Sequence, residues 1–290
     1  MRGPASRSTT AARRTWTRPS RCGASSRRVP APEGGRVTPP RALIINADDL
    51  GYDPGITRGI LQAMREGVVS SATLLVNAPD SESAARQARG LAIGLHLNLD
   101  RGAPVAPGFP SGWRTVDGGL DGGRVGGLPA DVVEAEALAQ LERLERLLGQ
   151  AATHLDVHKH LHRHPQVLEG LSRVARRAGL PVRSIDADMR GALRARGVAT
   201  NDHFVGESGA TAYWTAERFA QALAALPGEG VTEWMCHPGH LPELVTTRYA
   251  AQREVERATF VDARARTALE QAGVRPSDYR ALREDRLTRA

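Results

Sequence analysis

From residue 42 onward, short apolar runs alternate with amphipathic segments, the signature of repeated strand–helix units around a parallel sheet. Ala42-Leu43-Ile44-Ile45 reads as a buried strand. Asp53-Pro54 then supplies an N-cap and a first-turn proline, Ile56, Ile60 and Met64 recur at helical spacing, and Gly67 is placed to end that helix. A second strand is predicted over Ser71 to Val76, a short helix near Ser81 to Arg89, and a third strand over Leu91 to Leu99. Residues 100–129 carry many Gly and Pro and no periodic face, so a long loop is expected there, either a lid or a poorly ordered insertion. The following segment, 130–148, places Leu138, Leu141, Leu144 and Leu148 on one side of a helix, with its charges read as a solvated face.

A fourth strand carries a run of histidines, and Pro165 opens a helix that buries Leu168, Leu171 and Val174 and closes at Gly179. Val182 to Ile185 is expected as a fifth strand, and residues 187–213 show no legible pattern. Thr215 can cap a helix to Leu226, Val231 to Cys236 reads as a later strand, one long helix is expected around 248–272, and Tyr279 to Leu282 as a last strand. With no longer repeat in view, the order predicts an α/β fold made of one closed or nearly closed barrel over residues 41–290.

Charge changes the picture at one end only. Of the formal +7, residues 1–41 hold ten Arg and one Glu, a net +9 that leaves 7 − 9 = −2 for the remainder. A nearly neutral folded part does not call for a nucleic-acid partner. The Arg-, Ser- and Pro-rich extension of residues 1–40 shows neither helical nor strand periodicity and is expected to be disordered. It lacks the apolar run of roughly 7–15 residues that a secretory signal needs. Two cysteines, Cys22 and Cys236, form no disulfide framework, and no stretch approaches the roughly 20 apolar residues of a membrane span. A cytoplasmic protein is the expectation.

The chemistry lies where strands should end: Asp48-Asp49, His96, the alternating run His154, Asp156, His158, His160, His162 and His164, and His237. Carboxylates and imidazoles beneath apolar strands persist when a cation or mutual hydrogen bonding offsets their burial. In parallel barrels the working groups sit at the carboxyl ends of strands, so these clusters can converge. Asp48 and Asp49, as neighbours in extended backbone, point to opposite faces and should take different roles, one on a metal and one as base. At about 3.3 Å per residue the histidine run would span roughly 33 Å as an unbroken strand, so at most two neighbours reach one ion. His158 or His160, near the strand's end, is the better ligand. One carboxylate with two imidazoles leaves positions open for water and substrate, an arrangement that suits Zn²⁺, with Mg²⁺ or Mn²⁺ also able to occupy it.

Three motifs in order, Asn46-Ala47-Asp48-Asp49-Leu50-Gly51, Gly94-Leu95-His96-Leu97 and His154-Leu155-Asp156-Val157-His158-Lys159-His160-Leu161-His162, resemble those of the YdjC-like carbohydrate deacetylase family, and Met235-Cys236-His237-Pro238 fits a late motif. The resemblance implies a distorted (β/α) barrel related to the NodB-like deacetylases, one divalent metal ion, and removal of the N-acetyl group from an amino sugar carried on an oligosaccharide or glycolipid. It is compatible with a homodimer. Carried onto the matching positions, it implies Asp49, His96 and His158 as metal ligands, Asp48 as the base and His237 as the acid. Leu50, Val157 and Lys159 depart from the family's usual Phe, Ser and His. Trp113, Tyr213 and Trp214 lie in loop-like segments that can supply a sugar platform, whereas Trp234 reads as core. Two rival classes are a metal-dependent phosphoesterase, expected to gather two ions or cationic groups for phosphate, and a non-catalytic metal- or sugar-binding protein, which has no use for Asp48 beside the ion.

Overall fold

Residues 42–282 are described in the computed structural model; the expected disorder of residues 1–40 lies outside them. The strands are β1 (Ala42–Leu50), β2 (Ser71–Leu74), β3 (Ile93–Leu97), β4 (Leu155–Val157), β5 (His203–Val205), β6 (Val231–Cys236) and β7 (Pro276–Ser277). All their pairings are parallel, in the order β4-β3-β2-β1-β6-β5. Strand β7 joins β1 at Leu43 and Ile44, below the point where β2 begins its pairing at Asn46.

The expected strand at Val182 to Ile185 is absent: Val182 makes only an isolated bridge to Leu155. That segment nonetheless spans the gap between β4 and the residues leading into β5. Leu155 N donates to Pro181 O at 3.0 Å and Arg183 N to Leu155 O at 3.1 Å, while Val182 N donates to Ala199 O at 2.9 Å. The barrel is therefore distorted, with an irregular seam where a regular strand would otherwise stand.

Helices α1 (Pro54–Arg65), α2 (Ser81–Gln87), α3 (Ala130–Leu148), α4 (Pro165–Ala178), α5 (Ala187–Ala195), α6 (Ala216–Ala224), α7 (Ala251–Val261) and α8 (Ala263–Gln271) cover the outside. The caps follow the sequence. Asp53 accepts from Gly55 N, Thr215 from Arg218 N, and Gly179 adopts the left-handed conformation after α4. The expected single helix over 248–272 is instead two, because Asp262 leaves the helical region and its side chain caps α8. Tyr279 to Leu282 is no strand; its apolar members Tyr279 and Leu282 pack with Ile44 and Val231. In the unread stretch 187–213 lie α5 and β5.

Strand periodicity sorts β1 between two environments. Leu43, Ile45 and Ala47 join the main apolar core under the helices, whereas Ile44 packs with Tyr279 and the alternate residues Asn46 and Asp48 are buried and polar. The same alternation in β6 sends Trp234 and Cys236 to the main core and leaves Glu233 fully buried away from it. The barrel interior is thus a column of polar groups rising toward the carboxyl ends of the strands.

The loop 100–129 is neither a lid nor a loose insertion. Phe109, Leu120, Val125 and Leu128 are buried in the main core, and the Glu136 carboxylate accepts from Val105 N at 2.8 Å and Ala106 N at 2.7 Å. Glu136 is fully buried, so the charged side of α3 is not purely a solvated face. Among the described residues no helix is long and apolar enough to cross a membrane.

Candidate active site

The carboxyl ends of β1, β3, β4 and β6 surround an open cleft of about 1480 Å³ whose floor includes Asp48, Asp49, His96, His158 and His237. Every residue singled out from the sequence as ligand, base or acid borders it. Asp48 and Asp49 do not face apart as extended neighbours would. The pairing of β1 with β2 shifts register between Ala47 and Leu50, and Asp49 sits at φ 72°, a left-handed conformation that costs energy in a non-glycine residue. This bulge turns both carboxylates into the same cleft.

His96 and Asp156 are register partners on β3 and β4, so their side chains share a face and His96 Nδ1 lies 2.7 Å from Asp156 Oδ1. Thr73 on β2 donates to Asp156 Oδ2 at 3.0 Å. The ring is thereby oriented with Nε2 toward Asp49 Oδ1, 3.3 Å away. The histidine strand breaks after Val157, where Lys159 and His160 both take left-handed φ values of 56° and 53°. That kink ends the even-odd alternation. His158 meets Asp49 Oδ1 through Nδ1 at 3.1 Å and His96 Nε2 at 3.2 Å, while His160 packs edge-on to Phe204 and His162 is buried.

Asp49 Oδ1, His96 Nε2 and His158 Nδ1 thus form a triangle with edges of 3.1–3.3 Å. Three donors adopt such spacing when each lies about 2.0–2.2 Å from one ion. Asp49 Oδ1 is buried with no hydrogen-bond partner among the described residues, and its other oxygen is held by Arg253 Nη2 at 2.5 Å. The donor set therefore fits a divalent cation, with Asp156 as the carboxylate behind a ligating imidazole. A second grouping, Asp48, His96 and Asp156, also has ligand atoms within 4.8 Å of one another. There the cationic place is filled by Arg183.

Arg183 is fully buried. Its Nη1 and Nη2 contact the two oxygens of Asp48 at 2.7 Å each, Nη1 also reaches Asp156 Oδ2 at 2.9 Å, and Nε and Nη2 reach Glu233 Oε1 at 2.7 and 2.6 Å. Tyr279 OH donates to the other oxygen of Glu233. Burial alone would raise the Asp48 pKa, but Arg183 overrides it and holds the carboxyl below the usual range. For Glu233, sharing one guanidinium with two other carboxylates, burial dominates and its pKa rises to about 7. Burial opposes a charge on His96 too, yet Asp156, Asp48 and Asp49 together raise it to about 10. His237 goes the other way: burial lowers it to about 4, and its Nδ1 has no partner among the described residues.

Of the proposed sugar platforms only Tyr213 borders the cleft, with the Arg218 guanidinium 4.5 Å from its ring centroid. Trp214 is fully buried against Trp234 and Phe260, and Trp113 packs on the main core outside the cleft. Lys159 borders the cleft but is tied to Asp100 at 2.6 Å. Sequence reasoning missed Arg183, Glu233, Arg253 and the orienting role of Asp156; a lone charge inside an apolar strand was the available signal for the first two.

The sequence pattern of the YdjC-like protein family matches residues 42–271. The chain belongs to the YdjC-like family. A carbohydrate deacetylase of Geobacillus stearothermophilus is 35% identical over 256 residues, covering 83% of this chain and 98% of that protein. A chitooligosaccharide deacetylase of Escherichia fergusonii is 32% identical over 258 residues, covering 82% and 98%. Among solved structures, one described as a putative cellobiose-phosphate cleavage protein from Enterococcus faecalis superposes with a TM-score of 0.72 at 26% identity, covering 84% of this chain and 99% of that one.

Proposed function

We propose that this protein hydrolyses the N-acetyl group of an acetylated amino sugar, on an oligosaccharide or glycolipid, releasing acetate with the help of one divalent ion. The observation that carries this reading is the triangle of Asp49, His96 and His158 at the floor of the cleft, with a carboxyl oxygen of Asp48 within 4.8 Å of a ring nitrogen of His96. The names of the two deacetylase relatives agree with it.

A divalent ion, Mg²⁺ or Zn²⁺, held by Asp49, His96 and His158 would acidify water and polarise the acyl carbonyl. Asp48 takes the proton from the attacking water. Its pairing with Arg183 makes it a weak base but keeps it ionised and fixed in one orientation. His237 passes a proton to the departing nitrogen as the C–N bond breaks. Because burial keeps His237 neutral near pH 7, that proton must be collected within the cycle, from Asp48 through solvent in the cleft. Water and amide then yield acetate and a protonated amine: one water proton reaches the nitrogen by way of Asp48 and His237, the proton lost by the new carboxylic acid is taken up by the freed amine, and none is left on the protein. Tyr213 offers an apolar face for a sugar ring.

A two-ion phosphoesterase fits less well, because Arg183 occupies the second acidic grouping. The deciding experiment is acetate release from N-acetylglucosamine oligosaccharides and glycolipids, with and without chelator. Turnover that stops with chelator and returns with Mg²⁺ or Zn²⁺ is expected; chelator-insensitive turnover overturns the metal reading, and phosphate-ester hydrolysis without acetate release overturns the deacetylase reading.

A further inference from the structure

Two guanidinium groups are buried beside the proposed metal ligands. Arg183 makes three hydrogen bonds, to Asp48 and Glu233, and two further close ion-pair contacts, to Asp156 and Glu233, so each of its nitrogens has a carboxylate partner. Arg253, on α7 and 2% exposed, uses Nε on Tyr249 O at 2.9 Å and Nη2 on Asp49 Oδ2 at 2.5 Å. Its Nη1 is buried without a hydrogen-bond partner among the described residues, and the residue borders the cleft. An idle buried donor of this kind is costly unless a ligand completes it.

The side chain has little freedom to withdraw. A Cβ added at Gly239 would come within 3.2 Å of the Cβ and Cδ of Arg253, so helix and loop are already in close approach. Helix α7 is further anchored by Glu256, which accepts from Trp214 N, His237 N and Tyr249 OH. Of the other cations lining the cleft, Arg101 is engaged with Tyr52 and Asp100, Lys159 with Asp100 and Arg218 with the Tyr213 ring, and Arg163 and Arg248 line it as well. Arg253 alone among them contacts one of the proposed metal ligands, and Nη1 shares a carbon with the nitrogen that makes that contact.

We propose that Arg253 is a catalytic residue whose Nη1 donates a hydrogen bond to the acyl oxygen of the substrate, and the proposal rests on the deacetylase reading above. As water oxygen bonds to the acyl carbon, the carbonyl π pair moves onto oxygen. The guanidinium N–H, on a side chain that is itself buried and held in place, meets that growing charge as a fixed donor. When the pair returns, the C–N bond breaks, the amine takes its proton from His237, and Arg253 keeps all of its own protons.

The test uses the full-length chain and the variants Arg253→Lys and Arg253→Ala, with kcat and KM for acetate release measured at saturating metal and metal affinity measured separately by calorimetry on the metal-free protein. Expected is a fall in kcat of roughly 10²–10³-fold with KM little changed, persisting at saturating metal, and partial recovery of Arg253→Ala by added guanidinium ion. Arg253→Lys keeps a cation beside Asp49 and decides the matter if Arg253→Ala does not fold. Weaker metal affinity with full kcat at saturation overturns the proposal and leaves Arg253 as a positioning residue for Asp49. A raised KM with unchanged kcat also overturns it, assigning Nη1 to a sugar hydroxyl. Absence of acetate release by the parent protein, by contrast, sinks the deacetylase reading itself.

Discussion

The two sides of the cleft floor are built on opposite terms. On the Asp48 side, Arg183 binds Asp48, Asp156 and Glu233 and every guanidinium nitrogen has a carboxylate partner. On the Asp49 side, Asp49 Oδ1, His237 Nδ1 and Arg253 Nη1 are all buried and all lack a hydrogen-bond partner among the described residues. A satisfied network fixes positions, and an unsatisfied one, which the fold tolerates at a cost, is complementary to something that arrives. The comparison separates groups whose positions the fold fixes, the proposed base Asp48 among them, from groups left open to a ligand, although adjacent residues of one strand supply both.

Breaking the satisfied side should show most strongly in the fold. Arg183→Met strands three buried carboxylates, and unfolding in urea is expected to register a loss of about 3–5 kcal/mol; a near-neutral result would mean the network is not structural. Asp48→Asn removes the proposed base but no ligand. Its kcat should drop roughly 10²–10⁴-fold with the metal still bound by calorimetry. Asp156→Asn loosens the hold on His96 and should weaken metal affinity roughly 10–100-fold, read by the same titration.

Protons sharpen the contrast further. With the His96 pKa raised to about 10, an ion must displace a proton at neutral pH. Metal affinity should therefore rise with pH, with about one proton released per ion in buffers of different ionisation enthalpy; a proton-independent affinity would remove His96 from the ligand set. The smallest effect belongs to Glu233, raised from 4.5 to about 7. Between those values the folded state holds its proton more tightly than the unfolded chain, so its contribution to stability is complete below pH 4.5 and fades as pH climbs through 7. Glu233→Gln should flatten that decline in urea titrations over the same window.

Much of this is legible in the sequence. The alternation of apolar runs with 3.6-residue patterns marks β1 to β4, β6 and most helices, and Asp53, Thr215 and Gly179 mark helix ends, because each is a local preference of a few residues. The candidates Asp48, Asp49, His96, His158 and His160 stand out because carboxylate and imidazole at strand ends are rare without a purpose, and the family resemblance selects Asp49, His96 and His158 among them as proposed ligands. Other features left no local trace. The two-residue kink at Lys159 and His160, which separates the proposed ligand His158 from the histidines after it, breaks the even spacing that the sequence alone would continue. Trp113 and Trp214 sit in loop-like segments expected to supply a sugar platform, and contact with the core decides otherwise. Asp262 divides a helix that periodicity alone would continue.

Chain order by itself determined an α/β barrel with its polar residues gathered at one end, since strand and helix periods are written in adjacent residues. Only the tertiary structure decided which charges are spent on each other and which remain open, because Arg183 meets Asp48 across 135 positions and Arg253 meets Asp49 across 204. Partners that far apart in sequence are chosen by the closing of the barrel, which no short pattern encodes.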